Sequence, residues 1–187
     1  MDNPHREITV NTLGVANVLE IARHLGDVRV VYVSSGAVYG VAPGPISESA
    51  PLAPSDPYGA TKVASEHFCT QYFEKFGIDT VCARLFFCYG PPEEPGPEAG
   101  FNTTLFYPLA RIPDPSHPRG GDQLADWTYV DDAARGIQLM LDADCLTDRA
   151  FNIATGVTTP VPDIMEAVRK HAPVEPVYDI GPGANLV

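Results

Sequence analysis

Tyr58 and Lys62 stand four residues apart in the stretch SDPYGATKVASEH, residues 55–67. Positions i and i+4 share one face of a helix, so a phenol and an ammonium at this spacing project together from its first turn and a half. A free phenol titrates near pH ~10, and a neighbouring ammonium favours the phenolate. The helix N-terminus adds positive potential of the same sense. The pair therefore predicts a tyrosine that exchanges protons near neutral pH, as general acid–base chemistry requires. A hydroxyl beside the reacting oxygen would complete such a site. Ser34 and Ser35, in SSGAVYG (34–40), are placed for it, because ligands bind at the carboxyl ends of strands in open α/β sheets. Tyr-x-x-x-Lys is common in proteins, and a tyrosine near a helix start is more often a packing residue. The specific signal is the succession of strand, Ser pair, Pro-rich loop, Tyr/Lys helix and second buried strand.

The elements that must position these residues are readable. NTLGVANVLEIARHL (11–25) has apolar residues at helical spacing and is stopped by Gly26. VRVVYV (28–33) is β-branched and apolar, a buried strand. VAPGPISESAPLAPSDP (41–57) is a loop rich in Pro, Ser and acids. The helix opened by Tyr58 is expected to run to about Phe76, with Ala60, Ala64, Phe68, Tyr72 and Phe76 as its apolar stripe and Gly77 as its stop. TVCARLFFCY (80–89) reads as a second buried strand. Helix, strand, helix and strand with crossover connections predict half of a doubly wound parallel α/β sheet. Further on, GPPEEPGPEAG (90–100) is an acidic turn-rich segment. DWTYVDDAARGIQLMLDA (126–143) predicts a short extended piece and then a helix from about Asp131. AFNI (150–153) is a short strand, Val161–His171 a helix and VEPVY (174–178) a last strand.

Composition narrows the function classes. The 187 residues carry 24 acids against 12 Lys and Arg, a formal net charge of −12. That balance argues against nucleic acid or an anionic membrane as partner, since phosphate backbones require concentrated Lys and Arg. It leaves room for a small phosphorylated ligand, which one or two placed cations or a helix N-terminus can hold. Cys69, Cys82, Cys88 and Cys145 form no CxxC pair and have no His at zinc-ligand spacing. Cys82 and Cys88 read as buried thiols, in keeping with a reducing cytosol. No signal-peptide pattern or membrane-length apolar run occurs, so a cytoplasmic location is expected. Asp131 and Asp132 read as helix-start acids rather than metal ligands. Trp127 and Tyr129 read equally as core or pocket, His67 as surface or packing, and Glu93, Glu94 and Glu98 as solvated.

Taken together, VNTLGVANVLEIAR (10–23), VVYVSSGAVYG (30–40), PLAPSDPYGATK (51–62), ARLFFCYGP (83–91), DWTYVDDAARG (126–136) and AFNIATG (150–156) resemble the extended short-chain dehydrogenase/reductases, in the NAD-dependent epimerase/dehydratase branch. The resemblance covers most of residues 10–170 in family order. It implies an α/β fold in which residues 1–90 are the C-terminal half of a Rossmann-like NAD(P)-binding domain. Residues 91–187 would then be mostly a small α/β substrate-binding portion, with elements at about 126–155 returning to the sheet. It implies NAD or NADP as cofactor and a sugar or nucleotide-sugar as substrate. Tyr58 would be the acid/base for a substrate hydroxyl during hydride transfer. Lys62 would lower its pKa and bond the nicotinamide ribose, and Ser35 rather than Ser34 would bind the substrate oxygen. Asn11 would lie beside the cofactor, Leu85 and Phe86 would border the nicotinamide, and Phe87 would fall at a substrate contact.

The sequence also departs from the family pattern. GxxGxxG, which places a pyrophosphate on a helix N-terminus, is absent, and residues 1–10 already resemble the middle of the family's domain. About half of the nucleotide-binding sheet is thus expected to be missing, and DIGPGANLV to stop early. Phe87 and Ala125 occupy positions where nucleotide-sugar binders often carry Asn and Arg, with Arg84, Arg111 and Arg119 as alternative cations. The expectations are an epimerase/dehydratase-type oxidoreductase or, alternatively, a non-catalytic remnant or partner-dependent binding domain. An exposed sheet edge would make the chain a homo-oligomer.

Overall fold

A computed structural model describes residues 4–41, 44–90, 124–160, 163, 164, 166, 167 and 170. They fall into two compact units. Residues 4–86 with 132–153 make the first, and residues 87–90, 124–131 and 154–160 lie in the second.

The first unit opens with α1 (Pro4–Glu7), which runs through a π-helical turn (Ile8–Leu13) into α2 (Gly14–Leu25). Leu19 and Ala22 are the buried residues of α2, and Gly26 ends it at φ 88°. β1 (Arg29–Ser35) leads into a 3₁₀ turn (Gly36–Tyr39) and then to α3 (Pro57–Phe76). β2 (Asp79–Leu85) returns parallel to β1, pairing Arg29 with Asp79 at one end and Ser35 with Leu85 at the other. After α4 (Val130–Asp142), β5 (Ala150–Ile153) adds on the far side of β2, giving a parallel sheet in the order β1-β2-β5. The predicted α/β fold stands. One core cluster joins Leu19 and Tyr32 to Cys69 and Cys82, and another joins Val81 and Ala83 to Met140. A fully buried side chain such as Val81 contributes about 1.5–3 kcal/mol.

In the second unit, β3 (Phe87–Tyr89) pairs parallel with β4 (Leu124–Tyr129), and β4 pairs antiparallel with β6 (Thr158–Pro160). Phe87, Ala125 and Trp127 are its buried cluster.

Three expectations need correction. The apolar run 80–89 is two strands in two sheets, broken at Phe86, because Phe87–Tyr89 pair with β4 rather than continuing beside β1. In α3 the buried residues are Gly59, Thr61, Ser65, Glu66 and Cys69, while Phe68 and Phe76 of the expected stripe are 39% and 55% exposed. The small polar face is tolerated inside because its groups are satisfied. Thr61 donates to the Tyr58 carbonyl, Ser65 donates to the Asn11 carbonyl, and the Cys69 carbonyl accepts from Thr80. Cys88 is half-buried, whereas Cys82 is buried as expected. Of the predicted helix at 161–171, Asp163, Ile164, Glu166 and Ala167 are helical. The strand at 174–178, Arg111, Arg119 and the acids at 93, 94 and 98 lie outside the described residues.

Candidate functional site

The start of α3 is built by Asp56, Pro57 and Gly59. Asp56 caps it, its carboxylate accepting from the Gly59 amide at 2.7 Å, and Pro57 occupies the first turn, where no amide is needed. Gly59 lets this end of the helix meet the 3₁₀ turn that follows Ser35. A Cβ on Gly59 would lie 2.5 Å from the Ala37 carbonyl oxygen and 2.9 Å from Pro54 Cβ. Tyr58 follows Pro57 directly, at the start of the helix. Ser35 itself caps the 3₁₀ turn, accepting from the Ala37 amide at 3.2 Å.

Lys62, one turn along α3, donates to the carbonyl of Val33 at 2.9 Å. Its ammonium lies 5.5 Å from the centre of the Tyr58 ring and 5.1 Å from that of Tyr32. Tyr58 and Lys62 thus stand together at the carboxyl end of β1, which Ser35 closes. Leu85 ends β2 opposite Ser35. Phe86 stacks on Tyr39 with ring centres 6.3 Å apart, and its edge fills the space where Gly36 lacks a side chain. Asn11 sits in the π-helical turn and donates to the Thr61 hydroxyl at 3.1 Å, which ties that turn to the Tyr/Lys helix.

The electrostatics differ from the expected tuning. Burial holds the Tyr58 phenol above its ordinary value, against the lowering influence of the Ser35 side chain, and the carboxylates of Asp56 and Glu7 push the same way as burial. The capping acid that starts the helix thus opposes the helix dipole at this residue. Burial lowers the Lys62 ammonium, with Glu66 acting weakly in the other direction. In the chain without ligand, Lys62 is committed to Val33 and does not bring the phenol toward neutrality.

Two further expectations fare differently. Ser34 is buried and donates to Glu66 at 2.6 Å, so its hydroxyl is engaged inside the fold. Arg84 is no surface cation. It lies in β2 at 5% exposure and makes an ion pair with Glu66, with Nη2 to Oε2 at 2.6 Å. Its Nη1 donates to the Tyr39 hydroxyl at 2.6 Å and to the Glu48 carbonyl at 3.0 Å. The Tyr39 hydroxyl donates to Asn152 at 2.8 Å. Sequence reasoning missed this network. Its available signal was an arginine inside an apolar run, which demands a buried partner.

In the second unit, Phe87 is 7% exposed and packs on Trp127 with ring centres 5.2 Å apart. Asp126, also missed, accepts from the Thr155 amide and hydroxyl at 2.8 and 2.7 Å and from the Gly156 amide at 2.6 Å, which shapes the turn before β6. Trp127 is a core residue, Asp131, Asp132 and His67 are exposed, and no metal-binding cluster occurs among the described residues. No helix among them is long and apolar enough to cross a membrane.

The sequence model described as the NAD dependent epimerase/dehydratase family matches residues 1–154. A UDP-glucose 4-epimerase of Mycolicibacterium smegmatis is 31% identical over 182 residues, which cover 95% of this chain and 58% of that protein. The solved UDP-glucose 4-epimerase of Thermotoga maritima with UDP-glucose superimposes with a TM-score of 0.81 at 26% identity, covering 98% of this chain and 60% of that one. That of Thermus thermophilus with NAD gives 0.75 at 29% identity, covering 95% and 58%. The chain spans less than two thirds of the length of these relatives.

Proposed function

Because the chain belongs to the NAD-dependent epimerase/dehydratase family, we propose that it serves an oxidoreductase step on a hydroxyl of a sugar or nucleotide-sugar. The observation that carries this reading is the placement of Lys62 against the Val33 carbonyl and the Tyr58 ring, at the end of β1 that Ser35 closes. The residues suit the nicotinamide end of NAD or NADP. Lys62 has three N–H groups and one protein acceptor described, Val33, which leaves donors for a ribose hydroxyl. Leu85 and Phe86 border the same strand ends, and Asn11 is fixed beside α3. GxxGxxG does not occur in the 187 residues, so this reading assigns the chain the nicotinamide side alone.

A bound nicotinamide supplies the hydride acceptor. The protein's part is proton transfer and orientation. Ser35 holds the substrate oxygen, and Tyr58 takes the proton from the hydroxyl as the C–H bond is broken. The Tyr58 phenol is held high in the free chain, so ligand binding has to lower it. Release of the Lys62 ammonium from Val33 toward the ligand would do so, as would a cationic group docked beside the ring. Phe87 is too enclosed to offer a substrate much surface, so the oxygen contact is assigned to Ser35. β1 is an edge strand among the described residues, with Val33 exposed, and the chain is expected to pair with a second copy through that edge.

Calorimetric titration of the 187-residue chain with NAD⁺ and NADP⁺ tests the reading, followed by UDP-glucose turnover. Binding in the micromolar range is expected, with turnover falling by about 10²–10⁴-fold in Tyr58→Phe at unchanged cofactor affinity. A folded chain that binds neither dinucleotide would overturn it.

A further inference from the structure

Lys62 brings an ammonium to the proposed site, and its surroundings on the strand side are aromatic. Tyr32 and Ser34 share the face of β1 turned to α3, where Ser34 donates to Glu66 and Tyr32 packs in one cluster with Cys69 and Tyr72. The Lys62 Nζ lies 5.1 Å from the centre of the Tyr32 ring and 5.5 Å from that of Tyr58. Both distances fall within the ~6 Å over which a ring face attracts a cation. The hydrogen bond to the Val33 carbonyl is the other described hold on the ammonium. Lys62 is half-buried, and burial works against its charge. A carbonyl offsets that cost by engaging an N–H. A ring face offsets it without fixing a donor direction, so N–H groups remain for a ligand. The Tyr32 hydroxyl plays no part in this. It is buried and makes no hydrogen bond among the described residues. Tyr32 is 9% exposed, which leaves it little surface to offer a ligand itself.

We propose that Tyr32 is a positioning residue for Lys62: its ring, facing the ammonium together with that of Tyr58, holds Lys62 charged and in place while leaving its donors to a ligand. The bearing on catalysis rests on the proposed role of Lys62 toward Tyr58. The hold itself is a property of the ligand-free chain. Of the carboxylates nearby, Glu66 on the same helix favours the Lys62 ammonium, and Asp56 and Glu7 act on Tyr58. Glu66 is engaged by Arg84 and Ser34. None of these carboxylates changes when Tyr32 is replaced.

The test follows the titration of Lys62 in the full chain without ligand. The 187 residues contain three lysines, Lys62, Lys75 and Lys170, so lysine labelled with ¹³C at Cε gives few resonances. That of Lys62 is assigned by its loss in Lys62→Met. Tyr32→Leu lowers the proton affinity of Lys62 about fivefold, the loss of one partly screened ring contact. Tyr32→Phe keeps the ring and leaves the midpoint in place, since the hydroxyl it removes has no described partner. A ring-fluorinated phenylalanine at position 32 is the further variant. It keeps the shape of Phe, fills the core where Leu leaves a gap and weakens the ring face, so it lowers the affinity in the same sense as Tyr32→Leu. A Lys62 midpoint that stays in place in the folded fluorinated variant, or that falls as far in Tyr32→Phe as in Tyr32→Leu, would overturn the proposal. A lowered affinity in a chain that binds neither NAD⁺ nor NADP⁺ would defeat the proposed function and leave the hold on Lys62 intact.

Discussion

The same two strands carry an arginine–carboxylate cluster at each end, and the two clusters are built differently. At the carboxyl end, Glu66 and Arg84 are closed off from water and every strong donor has a partner inside the fold. At the amino end, Asp79 is shared by Arg29 and Arg149 at 2.6 Å each, with the carboxylate 36% exposed. Arg29 also gathers the carbonyls of Met140 and Leu141 at the end of α4 and of Ala143 just beyond it. The outer cluster clips a helix end where solvent can replace it. The inner one sits under the strand ends that meet Tyr58 and has no solvent to fall back on. Burial, more than the number of contacts, decides what each is worth.

The largest expected effect follows from breaking the inner pair on one side. Arg84→Met leaves a buried carboxylate alone and should cost about 3–5 kcal/mol in unfolding free energy, read by urea denaturation. Replacing both partners, Glu66→Met with Arg84→Met, removes the stranded charge. It should recover most of that loss, to within about 1–2 kcal/mol of the parent. A double variant no more stable than Arg84→Met would contradict this account. The smallest effect belongs to the outer cluster. Asp79→Asn should cost about 1 kcal/mol or less, falling further with added salt. Burial pushes the Asp79 carboxyl up, but Arg29 and Arg149 outweigh it and hold the group below its usual value. Its contribution is therefore present above the unfolded value of about 4 and lost as pH falls through the folded one. Melting curves of parent and Asp79→Asn should converge on the acid side, and a gap that persists there would contradict the assignment.

Much of this was legible in the chain because it is local. The i,i+4 spacing of Tyr58 and Lys62 and the Gly77 stop gave α3 nearly to the residue, while the Asp56 cap and Pro57 at its first turn were read as loop. The β-branched run gave β1, and AFNI gave β5. What escaped depends on contacts between distant residues. The division of 80–89 into two strands is imposed by partners, β1 and β5 on one side and β4 on the other, which no local pattern encodes. The buried face of α3 was misjudged because hydrophobicity was expected to mark it. The fold instead chose small residues whose hydroxyls find carbonyls in the π-helical turn and in α3 itself. The sign of the Tyr58 shift was hidden for the same reason. Lys62 is near, but its reach to Val33 and the enclosure of the phenol are tertiary facts.

The π-helical turn that holds Asn11 has a consequence for the chain's phase. An α-helix advances by about 100° per residue, and a wider π turn accommodates one residue more than the α ladder would. Residues 4–7 and α2 are therefore out of register by that one residue, and the turn absorbs the mismatch in a single place, against Thr61 and Ser65. Removing one residue from Ile8–Leu13 would let the whole segment relax to a uniform spiral. The face that Glu7 presents would swing by about a quarter turn while α2 kept its own. The bulge thus works as a phase adjuster between two helical pieces, each free to keep its own facing.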